Sequence, residues 1–274
     1  MSIVPNSPAL AELHHGAPCW VDIATTDLQA TVDFYTGLFG WSYSDVDGDD
    51  GRKVAVVAGL PVAEFVTADQ PSAWTLYLNT PHARATAEKA HALGATVLGE
   101  PSDVTTVLAD PSGAVVGFRH VPADWLFGTA GHGAYAWAEL NTRDGQLADE
   151  FFQELCGFEI TQIGDGQAVD YTLWAVQGDT VLGRQRMGRA FAPETPPHWM
   201  VYFTAAPEIG ADSVASRVLE LGGLVTVEPY DTPLGRVTVV ADHTGAVFSV
   251  IDPSRTTPLR DEEIGSPIDD PYDE

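Results

Sequence analysis

One stretch of this chain is written twice, and the two copies align without a gap. CWVDIATTDLQATVDFYTGLFGW begins at Cys19 and AWAELNTRDGQLADEFFQELCGF at Ala136, so each matched pair lies 117 positions apart. Trp20 matches Trp137, Asp22 matches Glu139, Asp27 matches Asp144, Phe34-Tyr35 match Phe151-Phe152, and Gly40 matches Gly157. A second pair of segments, WTLYLN from Trp74 and WMVYFT from Trp199, leads in each half to a helical stretch. That stretch ends at Leu93-Gly94-Ala95 or Leu221-Gly222-Gly223, and LADPSGAVVGF from Leu108 or VADHTGAVFSV from Val240 follows. Here the offset drifts from 125 to 128 to 132, as small loop insertions would make it. Periods this long indicate duplicated modules; solenoid repeats run roughly 20–50 residues.

Local patterns order each module as strand, helix, then two or three strands. Trp20–Ala24 alternates as a half-buried strand does. Thr26 and Asp27 offer helix N-cap oxygens, Leu28, Thr31, Tyr35, Leu38 and Phe39 share one helical face, and Gly40 suits the left-handed C′ position. The copy repeats this from Asn141–Asp144 through Leu147, Phe151 and Leu155 to Gly157. Apolar runs at 53–58, 62–66, 169–176 and 181–183 read as strands, and Pro81 and Pro207 are expected to open helices.

The net charge of −26 argues against nucleic acid as a partner, because phosphate binding needs clustered Lys and Arg. No apolar run approaches the roughly 20 residues of a bilayer span, and MSIVPNSPALAELHHG lacks the pattern of a signal peptide. Residues 1–16 read as an N-terminal arm, 17–125 as a first domain, 126–133 as a glycine-rich linker and 134–255 as a second domain. Residues 256–274 read as an acidic disordered tail. Cys19 and Cys156 are expected to be free thiols, which fits a cytoplasmic location. GxSxG, GxGxxG, HExxH, CxxC and P-loop signatures are all missing, and no two histidines make a helical i, i+4 pair.

The repeated pattern WVDIATTDLQATVDFYTGLFGW, WTLYLN, DPSGAVVGF resembles the vicinal oxygen chelate superfamily of glyoxalases, extradiol dioxygenases and bleomycin-resistance proteins. Within it, the chain is most similar to two-lobed actinobacterial proteins of the glyoxalase/bleomycin-resistance type. The likeness spans about residues 17–253. It implies an α+β fold in which four βαβββ modules pair into two tandem cup-shaped mixed sheets.

The resemblance also implies where a metal would be held, and those positions depart from the pattern. They fall on Trp20, Thr75 and Gly117 in the first half and on Trp137, Met200 and Ser249 in the second. Only Glu64 falls near a metal-capable position, and its counterpart is Gly183. A first-row metal needs about three N, O or S ligands, which indole and methylene groups do not supply. No cofactor is therefore expected, a divalent metal remaining the alternative.

Strand parity places Trp20 and Asp22 on one face, with Thr75, Tyr77 and Asn79 sharing a face of the next strand. The second half sets out Trp137 and Glu139, then Met200, Tyr202 and Thr204, and His198 precedes Trp199 as a rim-base candidate. For Arg119, Arg184 and Arg186 the expectation is a surface role, with pairing to Asp22 or Glu139 as the alternative. These patterns point to a metal-independent site for a small aromatic or cationic molecule, serving sequestration or secondary metabolism, in a monomer or homodimer. The alternatives are a lyase, isomerase or dioxygenase using a metal or a buried carboxylate base, and an interaction protein with filled cups.

Overall fold

The computed structural model describes residues 13–46, 48–166 and 169–257. The first module comprises β1 (Pro18–Thr25), α1 (Leu28–Phe39), β2 (Ser42–Val46), β3 (Asp49–Val57) and β4 (Leu60–Thr67). The second comprises β5 (Ala73–Asn79), α2 (Ala83–Ala92), β6 (Thr96–Leu98), β7 (Thr105–Ala109) and β8 (Val115–Arg119). After the connection 120–134 the order returns with β9 (Tyr135–Thr142), α3 (Gly145–Cys156), β10 (Glu159–Ile163), β11 (Tyr171–Val176) and β12 (Asp179–Arg186). The last module is β13 (His198–Thr204), α4 (Gly210–Glu220), β14 (Leu224–Thr232), β15 (Gly235–Ala241) and β16 (Val247–Asp252).

Each half forms one eight-stranded sheet, ordered β2-β3-β4-β1-β5-β8-β7-β6 and β10-β11-β12-β9-β13-β16-β15-β14. The second order is the first with eight added to each strand number, so the duplication seen in the sequence is complete in three dimensions. The α+β fold of four βαβββ modules in two tandem lobes is as expected. Both sheets are mixed: β1 runs antiparallel to β5 and parallel to β4, and β9 runs likewise against β13 and β12.

The helices start and stop where their caps dictate. Asp27 accepts from the Ala30 amide at 3.0 Å and Asp144 from the Leu147 amide at 3.0 Å, satisfying amides that have no intrahelical partner. Gly40 and Gly157 end α1 and α3 at φ 70° and 77°, a left-handed conformation that favours glycine. α2 and α4 begin later than their prolines suggest. Pro81 lies two residues before Ala83, with His82 as N-cap, and Pro207 sits in a turn ahead of Gly210.

Alternation along the strands splits the side chains between two environments. Val21, Ile23, Ala138 and Leu140 enter a core shared with the helices. This core is continuous between the lobes: Trp74 lies 5.0 Å from Phe203, and Tyr35 lies 5.6 Å from Phe248, centroid to centroid. Tyr35 accepts from Trp74 Nε1 at 3.0 Å and donates to Asp242 Oδ2 at 3.3 Å across the lobe boundary. Among the described residues, no helix is long and apolar enough to cross a membrane. The expected disordered tail lies, from residue 258 onward, outside the described residues, as do residues 1–12 of the arm.

Candidate functional site

The concave face of each sheet receives the residues that alternation keeps out of the helix-side core. In the first cup, Trp20 is almost fully buried beneath the connection between the lobes. Trp125 and Phe127 approach it at 5.2 and 5.7 Å, and Trp125 Nε1 donates to the Cys19 carbonyl at 2.9 Å. The Arg119 guanidinium lies over the Trp125 ring at 4.8 Å and the Trp20 ring at 5.9 Å, a cation–π arrangement.

Asp22 stands in register between Glu64 on β4 and Thr75 on β5. The two neighbouring acids are treated unequally. Arg52 holds Glu64 Oε1, its Nη2 at 2.6 Å and its Nε at 2.8 Å, and Arg119 Nη1 stands 3.8 Å from Glu64 Oε2. Among the described residues no Lys or Arg lies within 4 Å of Asp22, which faces the hydroxyls of Tyr77 and Thr75. Burial pushes its carboxyl up to about 6 and the Glu64 charge adds to the rise, while the two hydroxyls and Arg52 oppose it. Tyr77 also covers Gly117: a Cβ there would stand 2.2 Å from a carbon of the tyrosine ring. The Asn79 amide donates to the carbonyls of Leu13 and His14, tying the start of the described chain to β5.

The second cup is built on the same plan with different chemistry. Glu139 lies opposite Gly183 on β12 and Met200 on β13. Tyr202 donates to its Oε1 at 2.7 Å, Tyr171 donates to its Oε2 at 3.1 Å, and Trp137 Nε1 donates to the Tyr171 hydroxyl at 3.3 Å. No described Lys or Arg comes within 4 Å of this carboxylate. Burial raises its pKa, and the two tyrosine hydrogen bonds restrain the rise. Ser249 pairs in register with Tyr202, and its buried Oγ has no partner among the described residues. His198, half-buried at the start of β13, has Nδ1 at 2.9 Å from the Pro196 carbonyl, which sets the proton on that nitrogen.

Tyr171 joins the site although the sequence offered no motif for it; the signal was parity with Leu173 and Ala175 on the cup face of β11. Arg184 corrects a sequence expectation. It is buried, 2 % exposed in its side chain, on the helix side of the second sheet. There it bridges Asp149 at 2.5 Å and Asp170 at 2.6 Å, and Asp149 also accepts from Thr172 at 3.1 Å and Trp174 at 2.8 Å. Its partners are thus helix-side acids, and the cup carboxylate Glu139 is not among them.

The donor sets of the two cups do not suit a divalent metal. The places that could carry ligands hold Trp20, Thr75 and Gly117 in one lobe and Trp137, Met200 and Ser249 in the other; Glu64, the one metal-capable residue near them, is held by Arg52, and Tyr77 fills the space above Gly117. At Gly183, opposite Glu139, a Cβ would collide with the Tyr171 hydroxyl. Among the described residues, no three His, Cys, Asp or Glu side chains are grouped to hold a metal ion.

Residues 20–117 match the family model described as a glyoxalase-like domain. The anthracycline biosynthesis protein DauV of Streptomyces sp. (strain C5) is 33 % identical over 262 residues, covering 86 % of this chain and 93 % of its own. CFP32 of Mycobacterium tuberculosis, which carries a glyoxylase name, is 32 % identical over 266 residues, covering 90 % of this chain and 98 % of its own. Among solved structures, the Mn(II)-bound glyoxalase from Novosphingobium aromaticivorans superposes with a TM-score of 0.61 at 14 % identity, over 89 % of this chain and 86 % of that one. Homoprotocatechuate 2,3-dioxygenase from Brevibacterium fuscum, in complex with 3,4-dihydroxyphenylacetate, gives 0.62 at 13 % identity, over 94 % and 86 %. At such identities the likeness is one of fold.

Proposed function

The chain belongs to the glyoxalase-like family of the vicinal oxygen chelate superfamily, and on that premise we propose that it binds a small aromatic, cationic organic molecule without a metal. The observation that carries this reading is the second cup. A buried carboxylate, Glu139, sits among Trp137, Tyr171, Tyr202 and Met200 with no basic partner from the described residues. Burying an acid unpaired costs several kcal/mol in a low-dielectric setting, and a ligand cation would offset that cost. The aromatic walls add ring stacking and cation–π attraction, each about 0.5–2 kcal/mol. An anthracycline bearing an amino sugar combines a planar ring system with one positive charge. The relatedness to DauV, named for anthracycline biosynthesis, makes it the natural probe and supports a role in secondary metabolism or sequestration.

Titration calorimetry with such an anthracycline, in the presence of a chelator, tests the reading. Glu139→Ala and Trp137→Ala are each expected to weaken binding by about 5- to 30-fold, equivalent to about 1–2 kcal/mol. Trp20→Ala reports whether the first cup takes part. Unchanged affinity in both second-cup variants, or binding that vanishes with chelator and returns with metal, would sink it.

One observation favours a second reading, confined to the first cup. Arg52 and Arg119 both attend Glu64, which leaves Asp22 as a carboxylate with no ion pair to a described Lys or Arg, tuned by burial to about 6, a value suited to a general base near neutral pH. Any turnover arising there would rise with pH through that value and disappear in Asp22→Asn. A flat pH–rate profile through the acidic range would exclude it.

A further inference from the structure

Outside both cups, the second lobe carries a groove of about 670 Å³ where β9 and β12 end. Its charge distinguishes it from the rest of the surface. The chain has 13 Lys and Arg against 39 Asp and Glu, so a cation placed anywhere on it is seldom far from an acid. Arg260 lies outside the described residues, and nine of the other twelve cations stand within 4 Å of a carboxylate. The three described cations that do not are Arg143, Arg186 and Arg189, and all three line this one groove.

Nearby acids are engaged elsewhere or stand apart. Asp170 borders the groove but binds the buried Arg184 at 2.6 Å. Asp144 caps α3 by accepting from the Leu147 amide at 3.0 Å, and Glu194 is exposed and lies beyond 4 Å of any described cation. Arg143 is also held in place. Its Nη2 donates to the carbonyls of Ala192, Pro193 and Thr195 at 2.8, 3.2 and 3.2 Å, which pins the loop 187–197 and leaves the other edge of the guanidinium open.

That loop belongs to the second lobe alone. The first lobe joins β4 to β5 through residues 68–72, whereas 187–197 join β12 to β13. The first-lobe equivalents of Arg143 and Arg186 are Thr26 and Thr67, so the cations accompany the longer loop. Met187, Phe191 and Pro193 supply an apolar side to the same groove.

We propose that this groove binds an organic phosphate with an apolar or aromatic body. Guanidinium groups match phosphate oxygens with paired N–H donors, and Phe191 offers a half-buried ring beside them. The field of a −26 molecule repels anions at long range, so occupancy here reports local recognition. The site lies outside the cups and stands whether or not they bind a cationic aromatic.

Calorimetry of the full chain with ADP, sulfate and citrate at roughly 0.15 M salt separates the outcomes. ADP is expected to bind with a Kd below about 1 mM, and the double variant Arg186→Gln/Arg189→Gln to weaken it by about tenfold or more. Both side chains are exposed and form no ion pair with a described acid, so the variant should melt as the parent does and keep its anthracycline affinity. Absence of ADP binding up to about 5 mM, equal affinity in the double variant, or sulfate or citrate binding as tightly as ADP would each overturn the proposal.

Discussion

Asp22 and Glu139 occupy matched positions, and both carboxyls are raised above their ordinary values by burial. A raised folded pKa means that the protonated acid is the form the fold tolerates. Its stabilising contribution is full below the unfolded pKa and is lost as pH rises through the folded one. For Asp22 that window runs from the ordinary 3.8 to about 6, a loss on the order of 2–3 kcal/mol by neutral pH. Asp22→Asn and Glu139→Gln should therefore melt at or above the parent temperature at pH 7.5 and converge with it near pH 4, as followed by thermal unfolding across pH. Lower stability of both variants at pH 7.5 would show these acids to be structural. The matched pairs Trp20/Trp137 and Asp22/Glu139 were legible because the duplication and strand parity act over a few residues. What parity could not convey is what lies across the cup. Gly117 and Gly183 read as missing ligands, while the structure shows tyrosines from other strands covering them, a contact that only tertiary packing creates.

At the scale of elements, strands and helices were readable where apolar periodicity was strong. β2 and β10 were missed because their side chains are mostly exposed and carry little apolar alternation. Arg184 was misplaced for an instructive reason. Gly183 faces the cup, so alternation turns the next residue toward α3, where Gly145 leaves room: a Cβ there would stand 2.7 Å from the guanidinium carbon. The sheet-to-helix contact of this module is thus cemented by an Arg184–Asp149–Asp170 triad in place of apolar packing alone. Arg184→Met removes one partner and leaves two half-buried acids uncompensated, an expected cost of about 3–5 kcal/mol in urea unfolding. Adding Asp149→Leu and Asp170→Asn to that variant should recover much of the loss. Equal stability of Arg184→Met and parent would refute this account.

The whole molecule is organised by the aromatic core between its lobes. Tyr35, Trp41 and Trp74 of the first half meet Phe203 and Phe248 of the second at centroid distances of 5.0–5.6 Å. Such burial couples the lobes, and thermal unfolding should show a single transition by both near- and far-UV circular dichroism. Tyr35→Phe deletes the donor to Asp242 Oδ2 in this core, and a shift of about 1–3 kcal/mol without splitting of the transition is expected. Two separated transitions in the parent would contradict it. The sequence announced two equal halves but not their union, because residues such as Tyr35 and Asp242 stand 207 positions apart and no periodicity links them.

That union also governs how the gene can change. A half-length product would bare either Tyr35, Trp41 and Trp74 or Phe203 and Phe248 to water, so neither twin can be discarded once the other has drifted toward a separate task. Descent is then free to specialise each bowl, and to add furniture such as the arginine-bearing loop to one, but must carry both forward as a single inheritance.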